Sequence, residues 1–295
     1  MLVLSAFLTL AAAICAGVAQ IFIRISTEHG NSNHALVVVM LINIVIIIPI
    51  AAIVSYPEYG INLESIMAFA AAGISGTMCG RAFAYMSIKR IGASRTEAIV
   101  ASQPLYAVLI AVIILRESVT IGHFAGILLI MAGVGFLARE CGSDSNSESN
   151  VAKIDFLLPF ASAFFYGIEP IFAKIGLLRG TPVFVGLSIK TLVATTIFLG
   201  YLYGRQILPS CSQLRGTNLR GYMVAGLFNT LFLIFYYTAL EMSPVVLVLP
   251  LIQIAPLIVI ALSFIFLKRL EVVTWRLVSA ATTVVIGAIV VTLSS

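Results

Sequence analysis

Two ionisable side chains lie deep inside apolar stretches of the sequence and are the strongest candidates for chemistry. Glu169 stands within the apolar run 154–178, and Lys190 stands within the run 182–203. If the chain turns near Gly180, they lie about 16 Å and about 15 Å from the turn, at roughly 1.5 Å per residue. The two side chains can therefore meet. A charge at such depth costs about 2.5–3.5 kcal/mol on insertion scales, so it faces a cavity or a partner.

A second candidate set consists of Arg81 and Gln103. Arg81 lies about 10 Å from the end of the run 64–88, at roughly 1.5 Å per residue, and Gln103 lies at matching depth in the run 93–115. Together they could donate hydrogen bonds to a carboxylate or phosphate of a substrate. The alternative is that the Arg81 side chain extends to the lipid interface.

Enzyme motifs give a weaker signal. Gly73-Ile74-Ser75-Gly76 has the G-x-S-G form of intramembrane serine proteases, but a nucleophilic serine needs a histidine base. The sequence places no histidine beside Ser75, which favours coincidence in a glycine-rich helix. The four cysteines show no C-x-x-C spacing, and neither a P-loop nor an H-E-x-x-H motif occurs. We therefore expect no cofactor and no metal.

The composition places the chain in a membrane. Hydrophobic residues make up 61% of the sequence and charged residues 10%, and the mean hydropathy is +1.11. Soluble domains carry about a quarter charged residues. The formal net charge is +5, but the Lys and Arg residues stand in short turns between apolar runs. We therefore expect the lipid bilayer as a partner and no nucleic acid.

Ten apolar segments are long enough to cross about 30 Å of hydrocarbon. They are 2–23, 35–54, 64–88, 93–115, 120–138, 154–178, 182–203, 219–240, 245–267 and 272–293. The predicted fold is an all-α membrane protein with ten transmembrane helices in two five-helix units, residues 1–139 and 154–295, joined by a polar linker at 140–153.

The two units are copies of one another. A shift of 152 residues lays Tyr85 on Tyr237 and Pro104 on Pro256. Because five spans is an odd number, a linker on one side makes the second unit cross the membrane in the opposite sense. Such inverted repeats are typical of secondary transporters, whose substrate site lies near the midplane between the repeats.

The repeat also bears on the charged pair. A shift of 150 residues lays uncharged Ala19 on Glu169 and Met40 on Lys190, so the shared architecture does not demand these charges. This favours a role in coupling over a buried ion pair that only neutralises two charges, which stays open as the alternative.

This layout resembles the EamA-type permeases of the drug/metabolite transporter superfamily. The resemblance is carried by Gly92-Ala93-Ser94-Arg95, Pro104-Leu105-Tyr106-Ala107 and Arg116-Glu117, with Phe22-Ile23-Arg24 and Phe172-Ala173-Lys174 closing the first helix of each half. The second half departs from the pattern, since Arg269 stands where the turn glutamate is expected. The resemblance implies a multi-pass permease or exporter of the cell membrane for small metabolites or drugs.

The predicted function is therefore secondary transport by alternating access, with proton coupling through Glu169 as the hypothesis for its driving force. The other classes left open are an intramembrane serine protease and a channel-like pore, although two unlike halves with one charged pair offer no ring of equivalent residues for a filter. The expected ligands are a small-molecule substrate and protons. The sequence leaves the oligomeric state open and is compatible with a monomer.

The distribution of positive charge predicts an orientation. Twelve Lys and Arg residues flank the loops that follow the odd-numbered spans, which include the linker. Three flank the loops on the other side of the membrane. The positive-inside rule then places the linker in the cytoplasm and both termini outside. The family resemblance implies the reverse orientation.

Two further patterns concern packing. Gly73, Gly76 and Gly80 line one face of the third span, which predicts close approach of another helix. A set of tyrosines is interpreted as membrane-interface anchors, with cavity lining as the alternative; the set is Tyr85, Tyr166, Tyr236 and Tyr237.

Overall fold

The computed structural model describes most of each repeat. It covers residues 2–27, 32–91, 99–100, 102–140, 157–209, 219–255, 258, 262 and 275–294. Regular secondary structure in these ranges is entirely helical, which confirms the all-α prediction for this part of the chain. Residues 141–153 of the predicted linker 140–153 and the turn containing Arg269 lie outside the described residues, whereas Glu140 ends α6.

Each described helix overlaps one of the predicted spans. They are α1 (Leu2–Thr27), α2 (Ser32–Val54), α3 (Leu63–Ala72), α4 (Arg81–Ile91), α5 (Gln103–Ile110), α6 (Ile121–Glu140), α7 (Leu157–Leu178), α8 (Val183–Gly204), α9 (Leu219–Met242), α10 (Val245–Ile252) and α11 (Trp275–Leu293). A π-helical segment, Gly73–Gly80, joins α3 to α4, and a second one, Ala111–Leu115, continues α5.

Length and composition mark six helices of the described ranges as able to cross a membrane. They are Val3–Ile23, His34–Val54, Leu63–Ala84, Leu157–Leu178, Val183–Gly204 and Leu219–Met242. Three shorter apolar helices cover Gln103–Leu115, Ile121–Gly133 and Thr282–Val291. Large apolar side chains also point outward, such as Ile113 at 76% exposure and Ile121 at 91%. An outer surface of this kind suits contact with lipid.

The first helices of the two repeats run in opposite directions. Tyr222, near the start of α9, donates its hydroxyl to the carbonyl of Ser26 at the end of α1, at 3.2 Å, so α1 and α9 are antiparallel. Lys174, near the end of α7, donates to the carbonyl of Leu240 near the end of α9, so the ends of these two helices lie together. It follows that α1 and α7 are antiparallel, as expected for inverted repeats.

The packing between repeats is reciprocal. Helix α1 packs on α9, and its counterpart α7 packs on α3; α2 packs on α8, and α6 packs on α11. Each pairing is the one that a two-fold axis between the repeats produces. Large side chains from both repeats are fully buried in the centre, including Phe69, Ile171, Leu187 and Tyr237.

The fourth and ninth spans are interrupted at equivalent places. In the first repeat a turn at Ser102 precedes α5; in the second, a turn at Gln253 and Ile254 follows α10, and the shift of 152 lays Ser102 on Ile254. Pro104 lies inside the predicted span 93–115, and the structure places it in the first turn of α5. A proline fits there because its missing N–H group has no helical acceptor at that position.

Candidate functional site

A buried salt bridge joins α7 to α8. Lys190 Nζ lies 2.5 Å from Glu169 Oε1, and the two side chains are 8% and 13% exposed. The short turn at Arg179–Thr181 joins α7 to α8. Since Glu169 and Lys190 lie at nearly equal distances from this turn, the two helices place them side by side. The contact that the sequence predicts across this hairpin is therefore present.

Tyr237 completes the site from a third helix. Its hydroxyl, on α9, donates to the same Glu169 Oε1 at 2.7 Å, and Lys190 Nζ lies 4.7 Å from the centroid of its ring. Tyr237 is fully buried and Tyr236 is 5% exposed, so the interpretation of these two tyrosines as interface anchors is wrong. One carboxylate oxygen thus accepts from two donors, and both donors lie within the second repeat.

Three glycines of the first repeat lie close to the second repeat at this site. A Cβ atom at Gly73 would lie 2.8 Å from the carbonyl oxygen of Lys190, and one at Gly76 would lie 2.7 Å from Glu169 Cγ. A Cβ atom at Gly80 would lie 2.8 Å from the Tyr166 ring. The glycines belong to the π-helical segment Gly73–Gly80, a geometry frequently found at functional sites. The close approach predicted from their spacing is confirmed.

We expect Gly76→Ala to disturb the salt bridge directly. The added methyl group would overlap the Glu169 side chain, and overpacking of this kind costs about 1–3 kcal/mol. Thermal unfolding of the purified protein in detergent should show a lower midpoint. The control is Gly200→Ala in α8, where a Cβ atom meets nothing within 4 Å and alanine favours a helix interior. Equal unfolding midpoints for the two variants would contradict the role of Gly76.

Gln103 and Arg81 occupy different positions relative to the pair. Gln103 Nε2 donates to the carbonyl of Tyr166 at 3.3 Å, one turn of α7 before Glu169. Arg81 follows Gly80 at the start of α4 and is partly buried, and its side chain makes no hydrogen bond or ion pair with the described residues. The structure therefore ties Gln103 to the helix that carries Glu169, but it gives no contact between Gln103 and Arg81.

Aromatic side chains pack between the helices that carry Arg81, Gln103 and Glu169. Phe83, two residues after Arg81, stacks on Phe165 with ring centroids 5.6 Å apart. Phe165 meets Phe164 edge to face at 5.6 Å, and Tyr106 meets Phe164 at 6.0 Å. These rings join α4, α5 and α7 and form an apolar cluster between them.

A second polar cluster went unrecognised in the sequence. Asn43, 5% exposed on α2, accepts from Thr230 Oγ1 at 2.7 Å and from Asn229 Nδ2 at 3.3 Å, and both donors lie on α9. The signal was an amide inside the apolar stretch Leu36–Pro49. A buried amide is normally hydrogen-bonded. The position of Asn43 in this stretch therefore indicates that it has a partner, although not which residue the partner is.

The arrangement does not suit serine protease chemistry. Ser75 donates its hydroxyl to Ala72 O of its own helix at 3.3 Å. His123, in α6, has its Nδ1 atom 2.7 Å from the Oγ1 atom of Thr120, the residue before α6. No described histidine is bonded to Ser75. The serine thus has no general base within the described residues.

Comparisons with known proteins agree with this architecture. The model of the EamA-like transporter family matches residues 3–139 and again residues 153–293. No curated protein matches the chain. Among chains of known structure, a protein crystal structure is similar over 98% of this chain and 96% of that chain, with a TM-score of 0.80 at 18% sequence identity. At this identity the likeness shows the fold alone.

Proposed function

Because this chain belongs to the EamA-like transporter family, whose members are multi-pass membrane transporters rather than enzymes, we propose that it is a secondary transporter working by alternating access. Ten spans in two inverted repeats, residues 1–139 and 154–295 with a linker at 140–153, enclose the pathway. The cargo is a small metabolite or drug, and protons supply the driving force.

The observation that carries the proposal is the double occupation of Glu169 Oε1. Lys190 and Tyr237 both donate to it in a site that is nearly closed to solvent. On this proposal Glu169 is the group that carries the coupled proton, and Lys190 and Tyr237 are the partners that it exchanges for water.

The helix packing indicates how the number of donors to Glu169 would change between conformations. Tyr237 is on α9, which packs on α1 and α2, whereas Glu169 is on α7, which packs on α3 and α5. A displacement of α9 relative to α7 would withdraw Tyr237 and admit water. Losing a hydrogen bond to a charged group costs about 1.5–3 kcal/mol, so such a displacement would change the free energy of the Glu169 site between the two conformations.

Arg81 and Gln103 are assigned to the substrate. Arg81 is partly buried, and its planar fork of donors suits a carboxylate or phosphate. Gln103 Nε2 lies one turn of α7 from Glu169 and can orient a second polar group. This arrangement would place an anionic substrate within reach of the coupling residue.

Saturable counterflow tests the proposal of a carrier. Purified protein in liposomes is first screened with labelled amino acids and nucleosides. Vesicles preloaded with an unlabelled hit should then accumulate the labelled form transiently, because a carrier exchanges its cargo across the membrane. Protein-free liposomes are the control. Equilibration without a transient excess and without saturation would instead indicate the channel-like pore.

A further inference from the structure

A turn of the first repeat makes a paired hydrogen-bond contact with the second repeat outside the Glu169 site. Glu117, in the turn between the π-helical segment Ala111–Leu115 and α6, accepts from the backbone N–H of Val245 at 2.9 Å and of Val246 at 3.0 Å. These are the first two amides of α10. Each carboxylate oxygen takes one of them.

The start of α10 needs this partner. The first amides of a helix have no acceptor within it, and Pro244, at the N-cap of α10, offers no side-chain hydrogen bond. The partial positive charge at a helix start also favours a carboxylate. Glu117 thus caps from one repeat a helix that belongs to the other.

The backbone before Glu117 is held in an uncommon conformation to make this contact. Arg116 has φ 54° and ψ 35°, a left-handed geometry that is costly for residues other than glycine. It ends the π-helical segment and turns the chain toward α10. Strain of this kind persists where the surrounding contacts determine the geometry.

Other contacts between the repeats lie at the same end of the bundle. Thr181 Oγ1 donates to Gly60 O at 2.8 Å, and Asn62 Nδ2 donates to Arg179 O at 3.2 Å. Beside α10, the buried Lys174 ammonium donates to Leu240 O and, at 3.0 Å, to Ser243 O, which fixes the end of α9. We call this region the Glu117 end.

We propose that Glu117 is a latch that holds the transport pathway closed at the Glu117 end and must release α10 before that end can open. The inference rests on the proposed transport function. The latch is one-sided, because the residue equivalent to Glu117 in the second repeat is Arg269, and a guanidinium cannot accept from amides. The resting protein is therefore biased toward closure at the Glu117 end.

Distances between spin labels test the latch without any substrate. In a variant lacking the native cysteines, nitroxides are placed at Ser118 in the first repeat and at Glu241 in the second, both of which are exposed. Pulsed electron paramagnetic resonance in lipid nanodiscs should show mainly a short distance between the two labels when Glu117 is unchanged. Glu117→Gln should raise the population of a longer distance about tenfold, since hydrogen bonds to a charged acceptor are lost.

The matched control is Glu64→Gln at the same end. Glu64 also pairs across the repeats, with Arg179 at 2.8 Å, but its side chain is 64% exposed, and exposed ion pairs contribute little. Its distances should stay as in the parent. An unchanged distribution in Glu117→Gln, or an equal change in Glu64→Gln, would overturn the latch.

A conservative variant guards against loss of folding. If Glu117→Gln does not yield folded protein, Glu117→Asp keeps the charge but shortens the reach by one carbon, and it should give an intermediate population of the long distance. No lengthening in that variant likewise counts against the latch. Failure of counterflow would contradict the transport proposal while leaving these distances interpretable, so the two failures are distinguishable.

Discussion

Glu169→Gln is expected to abolish accumulation driven by a pH gradient while leaving exchange of substrate largely intact. Glutamine has nearly the shape of glutamate and can still accept from Lys190 and Tyr237 through its carbonyl, but it cannot take up or release a proton. A gradient of one pH unit is worth about 1.4 kcal/mol per proton, which supports about tenfold accumulation. The variant should lose this factor entirely.

The measurement is uptake of a labelled substrate into proteoliposomes with and without an imposed pH gradient, alongside exchange at equal pH. Glu58→Gln is the control, since Glu58 is an exposed carboxylate between α2 and α3 with no role in the site. Full gradient-driven accumulation in Glu169→Gln would show that the ion pair is structural and that coupling lies elsewhere.

Lys190→Met is expected to destabilise the protein more than the double change Glu169→Gln with Lys190→Met. The single change leaves the Glu169 carboxylate nearly buried with only the Tyr237 hydroxyl as partner. Removing one member of a buried pair costs about 3–5 kcal/mol, whereas replacing both is often close to neutral. The order of stability should therefore be parent, then double variant, then Lys190→Met.

Thermal unfolding in detergent measures this order, and the two single variants and the double variant complete a mutant cycle. The exposed pair Glu64–Arg179, with side chains 64% and 57% exposed, supplies the matched cycle through Glu64→Gln and Arg179→Met. Its coupling should be about 0–1 kcal/mol. A coupling between Glu169 and Lys190 no larger than this would contradict the strength assigned to the buried pair.

Periodicity and depth in the sequence predicted the membrane class, the helix positions and the pairing of Glu169 with Lys190. The pairing was predictable because both residues lie at nearly equal distances from one short turn, and helical rise converts sequence separation into length. The opposite direction of α1 and α7 followed from an odd number of spans. None of these inferences needed knowledge of which helices pack together.

Contacts between distant helices were decided only by the tertiary structure. Tyr237 was interpreted as an interface anchor, because the sequence of an apolar helix does not show whether its aromatic residue faces lipid or the core. The packing of α9 against α7 places its hydroxyl at Glu169. The interruption at Ser102 and the capping of α10 by Glu117 were equally hidden. Both depend on where a backbone N–H group finds its acceptor.

Membrane insertion selects apolar residues over the length of each span, and so the sequence by itself predicted two repeats of apolar segments and the depth of the charged residues within them. It did not determine the faces that these segments present to one another. Within lipid, association of helices is governed by close packing and a few hydrogen bonds rather than by hydrophobicity. For that reason the partners of the glycines in Gly73–Gly80, of Asn43 and of the Tyr237 hydroxyl were identified only by the folded structure.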